Sequence, residues 1–195
     1  MNEVRPGVWH WEAAHPDWVP EADWGPEVSS YAIDDGERLL LFDPLAVPGK
    51  LEELAAGRET AIVLTCPWHR RGAPELAERL GVPIHVPPPD EGDPDPVRGH
   101  VFRAGDRLPV GVDAFPGMEP NDLALWVDRR RAIVVGDALI DRGRGLEFPA
   151  DWANKGVPPE EILAGLRPLL ELPVELVLPT HGAPADRAAL ENALA

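Results

Sequence analysis

The chain has 195 residues, 44% of them hydrophobic, which is enough to bury a full core in one domain spanning 1–195 and argues against disorder. Acidic side chains outnumber basic ones 34 to 18, a formal net charge of −16, so neither nucleic acid nor a membrane surface is expected as a partner. The single cysteine, Cys66, excludes an intrachain disulfide. No apolar run is long enough for a signal peptide or a membrane span, so the expected location is the cytoplasm.

The first predicted strands cover 28–33 and 38–42, joined by Asp34-Asp35-Gly36, whose residues suit a tight hairpin turn. A short helix over 51–56 is entered near Pro48 and stopped by Gly57. The apolar, β-rich run 61–64 ends at Thr65, and a helix over 73–80 follows, with Gly81 placed to cap its C-terminus. A strand over 82–86 leads into an acidic, proline-rich loop over 87–99, too short to separate domains. Prolines number 24 and stiffen this and other connections.

Strands are then predicted over 110–115, 123–127 and 132–135. Arg129-Arg130-Arg131 follows Asp128 between two of these apolar runs, which fits a solvated hairpin turn better than an anion-binding patch. An amphipathic helix over 159–170 carries Glu160 and Glu161 in its first turn, where acids favour the helix dipole. A strand over 174–178 and a helix over 185–194 close the chain. Two sheets packed face to face with helices outside would bury every apolar face, an α+β four-layer αββα sandwich.

Four strand ends carry polar residues able to bind metal or do chemistry. They are Phe42-Asp43-Pro44, the segment 64–72, Gly136-Asp137-Ala138, and Leu178-Pro179-Thr180-His181-Gly182. With their flanking strands, and with Phe115-Pro116-Gly117, they make the chain resemble the metallo-β-lactamase superfamily from about Val4 to Ala195. The resemblance implies that sandwich, with a hydrolase site at the sheet edges. It also implies a Thr followed by His-x-His-x-Asp-His, whose ligands hold two metal ions that activate a water.

Here the loop reads Thr65-Cys66-Pro67-Trp68-His69-Arg70-Arg71-Gly72. Cys66 and Trp68 stand where the family has its first two histidines, Arg70 at its aspartate and Arg71 at its third histidine. Met118 stands where a further histidine is expected, and only Asp137 and His181 match family ligands. Tryptophan and guanidinium cannot ligate a metal. The resemblance therefore implies a degenerate member with no dinuclear zinc site and no cofactor. Its arginines would supply the charge of the lost metals, pairing with Asp137 and leaving a locally cationic cleft for a small anionic molecule.

Three other readings stand beside this one. Cys66, His69, Asp137 and His181 offer the donors for one zinc or other divalent ion, which would make the chain a mononuclear hydrolase of an ester, thioester or lactam. Cys66 is also a possible nucleophile with His69 or His181 as base. The third reading is a partner-binding scaffold. His10, His15, His85 and His100 have no evident constellation and read as surface or strand residues. Trp9, Trp11, Trp18 and Trp24 are read as packing residues or as an aromatic wall over a pocket, with Trp68 on its floor.

Overall fold

A computed structural model describes residues 1–153 and 156–195. The first sheet has seven strands in sequential order. They are β1 (Asn2–Arg5), β2 (Val8–Ala14), β3 (Glu27–Asp34), β4 (Arg38–Phe42), β5 (Glu59–Val63), β6 (Ile84–Val86) and β7 (His100–Val101). Pairing is antiparallel through β4 and parallel from β4 to β7. Helices α1 (Gly49–Ala55) and α2 (Ala73–Leu80) make the crossovers from β4 to β5 and from β5 to β6, and the acidic loop 87–99 makes the one from β6 to β7.

The second sheet is built from β8 (Asp113–Pro116), β9 (Leu123–Val127), β10 (Ala132–Val134), β13 (Leu176–Leu178) and β14 (Ala185–Asp186), in the order β14-β13-β10-β9-β8. Between β10 and β13 lie a small hairpin, β11 (Ile140–Asp141) with β12 (Leu146–Glu147), and helix α3 (Pro159–Leu166). Helix α4 (Arg187–Ala193) closes the chain, with the Asp186 carboxylate accepting from the Ala189 amide at 2.9 Å as its N-cap.

Side-chain alternation makes the layers. On β4, Leu40 and Phe42 face the second sheet, while Leu39 and Leu41 face α1 and α2. On β9, Leu123, Leu125 and Val127 meet the first sheet, while Ala124 and Trp126 meet α3 and α4. Both faces of each strand are apolar, as they must be when helices cover the outer faces. The αββα sandwich is therefore observed as expected.

Local differences have physical causes. β1 and β2 were not anticipated, because their tryptophans and charges obscure the alternation. Val8 points to the inter-sheet core, and Trp9 and Trp11 to the outer one. The helix expected over 159–170 ends at Leu166 and tightens into a 3-10 turn, Arg167–Glu171, because Pro168 has no amide to continue the ladder. The strand expected over 110–115 starts only at Asp113, since Gly111 (φ +79) turns back to the Leu108 carbonyl. Ala185 and Asp186, expected in the last helix, pair with β13 instead. Arg129 and Arg131 are engaged by Glu37 and Glu175 at a turn, as their setting implied. No helix among the described residues is long and apolar enough to cross a membrane.

The sheets are tied together at one edge. The Tyr31 hydroxyl donates to the Pro179 carbonyl (2.6 Å), the Ser29 amide to Thr180 O (2.9 Å), and the Leu123 amide to Thr65 O (2.9 Å). The C-terminal ends of β4, β5, β10 and β13 meet there, so Asp43, the loop after Thr65, Asp137 and His181 share one place.

Candidate functional site

The loop after β5 is held from below. Asp43, fully buried, accepts from the Thr65 amide (2.9 Å) and from the Thr65 hydroxyl (2.6 Å). Residues Pro67–Arg70 then form a 3-10 turn, started by a proline whose missing amide costs nothing there. This turn points His69 inward. Its Nδ1 lies 3.0 Å from Thr65 Oγ1 and 3.2 Å from Asp43 Oδ2, and its Nε2 lies 3.3 Å from Asp137 Oδ1. Burial works to lower the His69 pKa, but the carboxylates of Asp137 and Asp43 outweigh it and hold the ring at about 9.

Asp137 is the hub. The Trp68 indole donates to its Oδ2 at 2.9 Å, Thr180 Oγ1 lies 3.3 Å from its Oδ1, and His181 Nε2 lies 3.5 Å from the same oxygen. Burial opposes ionisation, yet His69 and His181 keep the Asp137 carboxyl well below the usual carboxylate range. Beneath it sits Asp122, fully buried, accepting from the Asp137 amide (3.3 Å) and the Met118 amide (2.9 Å). Burial and the charge of Asp137 push the Asp122 carboxyl up to about 8.

The two arginines part company. Arg70 leaves the site and pairs with Asp95 of the acidic loop at 2.6 Å, its side chain 43% exposed. Arg71 turns in, with a positive φ of 38° and a ψ of −123° that few non-glycine residues adopt. Its Nη1 donates to the carbonyls of Ser29 (2.7 Å) and Asp43 (3.0 Å). Its Nε and Nη2 are buried without a partner. The expectation that a guanidinium pairs with Asp137 is therefore corrected. Indole and imidazole donors hold that carboxylate, being nearer, while Arg71 is spent partly on backbone.

Above these groups opens a cleft of about 490 Å³. Trp24, Trp68, Trp152 and Met118 supply its apolar surface, and His15, His69, Arg71, Asp137 and His181 its polar surface. Trp24 and Trp152 both set ring edges against His181, at centroid distances of 5.4 and 5.3 Å. Burial lowers the His181 pKa to about 4 and its Nδ1 has no partner, so the ring is neutral at pH 7. Asp23, Glu119 and Asp151 line the cleft together with Asp137, so the expectation of a locally cationic cleft is corrected: among its lining residues positive charge is confined to Arg71 and His69, and carboxylates outnumber them.

Of the residues singled out in the sequence, Cys66, Trp68, His69, Arg71, Met118, Asp137 and His181 converge here, and Arg70 does not. His15, read as an ordinary residue, lines the cleft. Trp9 and Trp11 are core residues, whereas Trp24 is an aromatic wall. Asp122 and Trp152 carried no signal beyond turn chemistry.

The donors do not fit two metal ions. Tryptophan, two arginines and methionine stand at expected ligand positions, and among the described residues only Cys66, His69 and Asp137 form a set of three whose donor atoms all lie within 4.8 Å of one another. His181 lies outside that set, though it contacts Asp137. Burial pushes the Cys66 thiol well up, with Asp137, Asp122 and Asp43 adding to the effect, which removes it as a ready nucleophile.

No family model matches the chain, and no curated protein does. Solved structures do. DIM-1 metallo-β-lactamase is 13% identical with a TM-score of 0.73, over 99% of this chain and 93% of that one. The metallo-β-lactamase FIM-1 from Pseudomonas aeruginosa, solved in a mono-zinc form, is 11% identical with a TM-score of 0.70, over 98% and 91%. TTHA1623, solved in a di-iron-bound form, is 26% identical with a TM-score of 0.65, over 90% and 98%.

Proposed function

Given the metallo-β-lactamase fold of this chain, we propose that it binds a small molecule through an anionic group at Arg71 and does not run two-metal hydrolysis. The observation that carries this is the Arg71 guanidinium, held at a strained backbone position with Nε and Nη2 buried and unpartnered beside an aromatic cleft. A buried charged donor without a partner is costly, so it marks where a ligand acceptor belongs. Nε and Nη2 are adjacent on one edge of the guanidinium, a fork that matches two oxygens of a carboxylate. The tryptophans favour a flat or apolar body behind that group.

Binding of benzoate, followed by thermal shift and calorimetry, tests this. Wild type and Arg70→Gln should bind equally, because Arg70 lies outside the cleft. Arg71→Gln should lose about tenfold or more in affinity, the usual size for a charge-assisted bond. Equal affinity in all three proteins would sink the reading.

A second reading rests on the convergence of Cys66, His69 and Asp137. One divalent ion would fit these three donors, with Asp43 orienting His69 from behind. Such an ion would supply an acidified water for hydrolysis of an ester, thioester or lactam. Cys66 would have to release its proton to serve. Metal content separates the two readings.

A further inference from the structure

A pair of histidines stands at the far edge of the first sheet. His85 and His100 are register partners on the parallel strands β6 and β7, the last two of that sheet. Ile84 and Val86 point to the outer core, so alternation turns His85 to the inner side, in register with Val63 of the inter-sheet core. An apolar residue would be the natural occupant there. Neighbouring positions on adjacent strands share a face, and the His85 and His100 ring centres lie 5.2 Å apart with planes tilted by 31°.

His85 is only 5% exposed, yet among the described residues neither ring has a hydrogen-bond partner. A buried polar group left without a partner calls for a physical reason. The unpartnered nitrogens of Arg71, Arg142, Trp152 and His181 are sealed from solvent, whereas those of His85 are not. Both histidines line a hollow of about 540 Å³, walled by Phe102, Leu108 and Val110, that shares no lining residue with the main cleft. Burial, and then the nearness of His100, lowers the His85 pKa, so its ring is neutral and keeps a lone pair at neutral pH.

Two imidazoles side by side on adjacent strands can chelate one ion. Histidine nitrogens at roughly 2.0–2.1 Å from a tetrahedral ion put the ring centres about 5 Å apart, which the observed spacing meets. The charges agree. Glu59 and Asp106 line the hollow with one cation, Arg107, which is already paired with Asp113 at 2.6 Å. The net charge of −16 also favours a cation. Among the described residues the one set of three donors within 4.8 Å of one another lies in the main cleft, so two imidazoles are what the protein offers here and water completes the shell.

We propose that His85 and His100 together bind one divalent transition-metal ion of the zinc type, which clamps β7 to β6 at the edge of the sheet. Imidazole suits zinc, copper and nickel. Two protein ligands are fewer than the three or four of zinc sites that keep their metal, so this ion exchanges readily and fills the site only when supplied. The proposal does not depend on the reading of Arg71.

Zinc titration of chelator-treated protein at pH 7.5, followed by calorimetry and by the histidine ring signals in NMR, tests it. Wild type should bind an ion that shifts the His85 and His100 ring signals. His85→Gln and His100→Gln should each lose about tenfold or more in affinity, since removing even a supporting group beyond the ligands costs that much. His100 is exposed, so His100→Gln keeps the fold and tests the site even where His85→Gln does not. Cys66→Ala should leave the His85 and His100 shifts unchanged. Undiminished affinity in His100→Gln overturns the proposal. So does binding that Cys66→Ala abolishes while the two ring signals stay still, which would place the ion in the main cleft. Absence of saturable binding below about millimolar zinc overturns it as well.

Discussion

His69 sits between two carboxylates, Asp43 at 3.2 Å and Asp137 at 3.3 Å, and this sets a pH dependence. Its pKa is raised from the ordinary 6.5 to about 9, so the folded state holds its proton more tightly. The stability this gives is fully present below pH 6.5 and lost as pH rises through 9. It amounts to about 3 kcal/mol for a shift of that size. Asp122, pushed up to about 8, acts in the same direction as it ionises. Urea unfolding of chelator-treated protein at pH 6, 7.5 and 9 should show falling stability, with a shallower slope in His69→Gln. Identical slopes would contradict the His69 placement. The sequence could locate Asp137 and His181 because each ends an apolar strand. It could not tell Arg70 from Arg71, since one residue of a 3-10 turn and one positive φ decide which guanidinium turns inward.

At the scale of elements, the site depends on how β10 ends. Gly136, at φ +55°, lets the chain bend so that Asp137 rises into the cleft while Asp122 packs beneath. A Cβ there would lie 2.4 Å from Asp122 Oδ1. Gly136→Ala is therefore expected to cost about 2–4 kcal/mol, combining backbone strain with disruption of a buried carboxylate. Gly165 in α3 has nothing within 4 Å of its would-be Cβ, and Gly165→Ala should stabilise by up to about 1 kcal/mol. Denaturation midpoints check both signs. The strands and helices of the two-faced core were legible because their apolar residues repeat cleanly. The short hairpin β11–β12 was not, since Asp141, accepting from three backbone amides of its own turn, reads in sequence as loop chemistry.

At the scale of the whole molecule, the net charge of −16 opposes any anion until it reaches Arg71. Raising ionic strength from about 20 to about 150 mM screens that long-range repulsion, while the buried guanidinium contact is screened less. Benzoate affinity should hold or improve with salt, whereas binding to an exposed basic patch would weaken. A several-fold weakening, read by calorimetry, would place the anion on the surface. The fold was legible from strand order and loop spacing. What the site holds was not, because Trp68, Arg71, Trp152 and Asp122 acquire their meaning only from neighbours distant in the chain.

The most direct measurement is elemental analysis of protein purified without chelator, paired with benzoate titration before and after chelation. Well below one zinc or iron per chain is expected, with an affinity that chelation leaves unchanged. One or two ions per chain, with esterase activity lost on chelation, would contradict it.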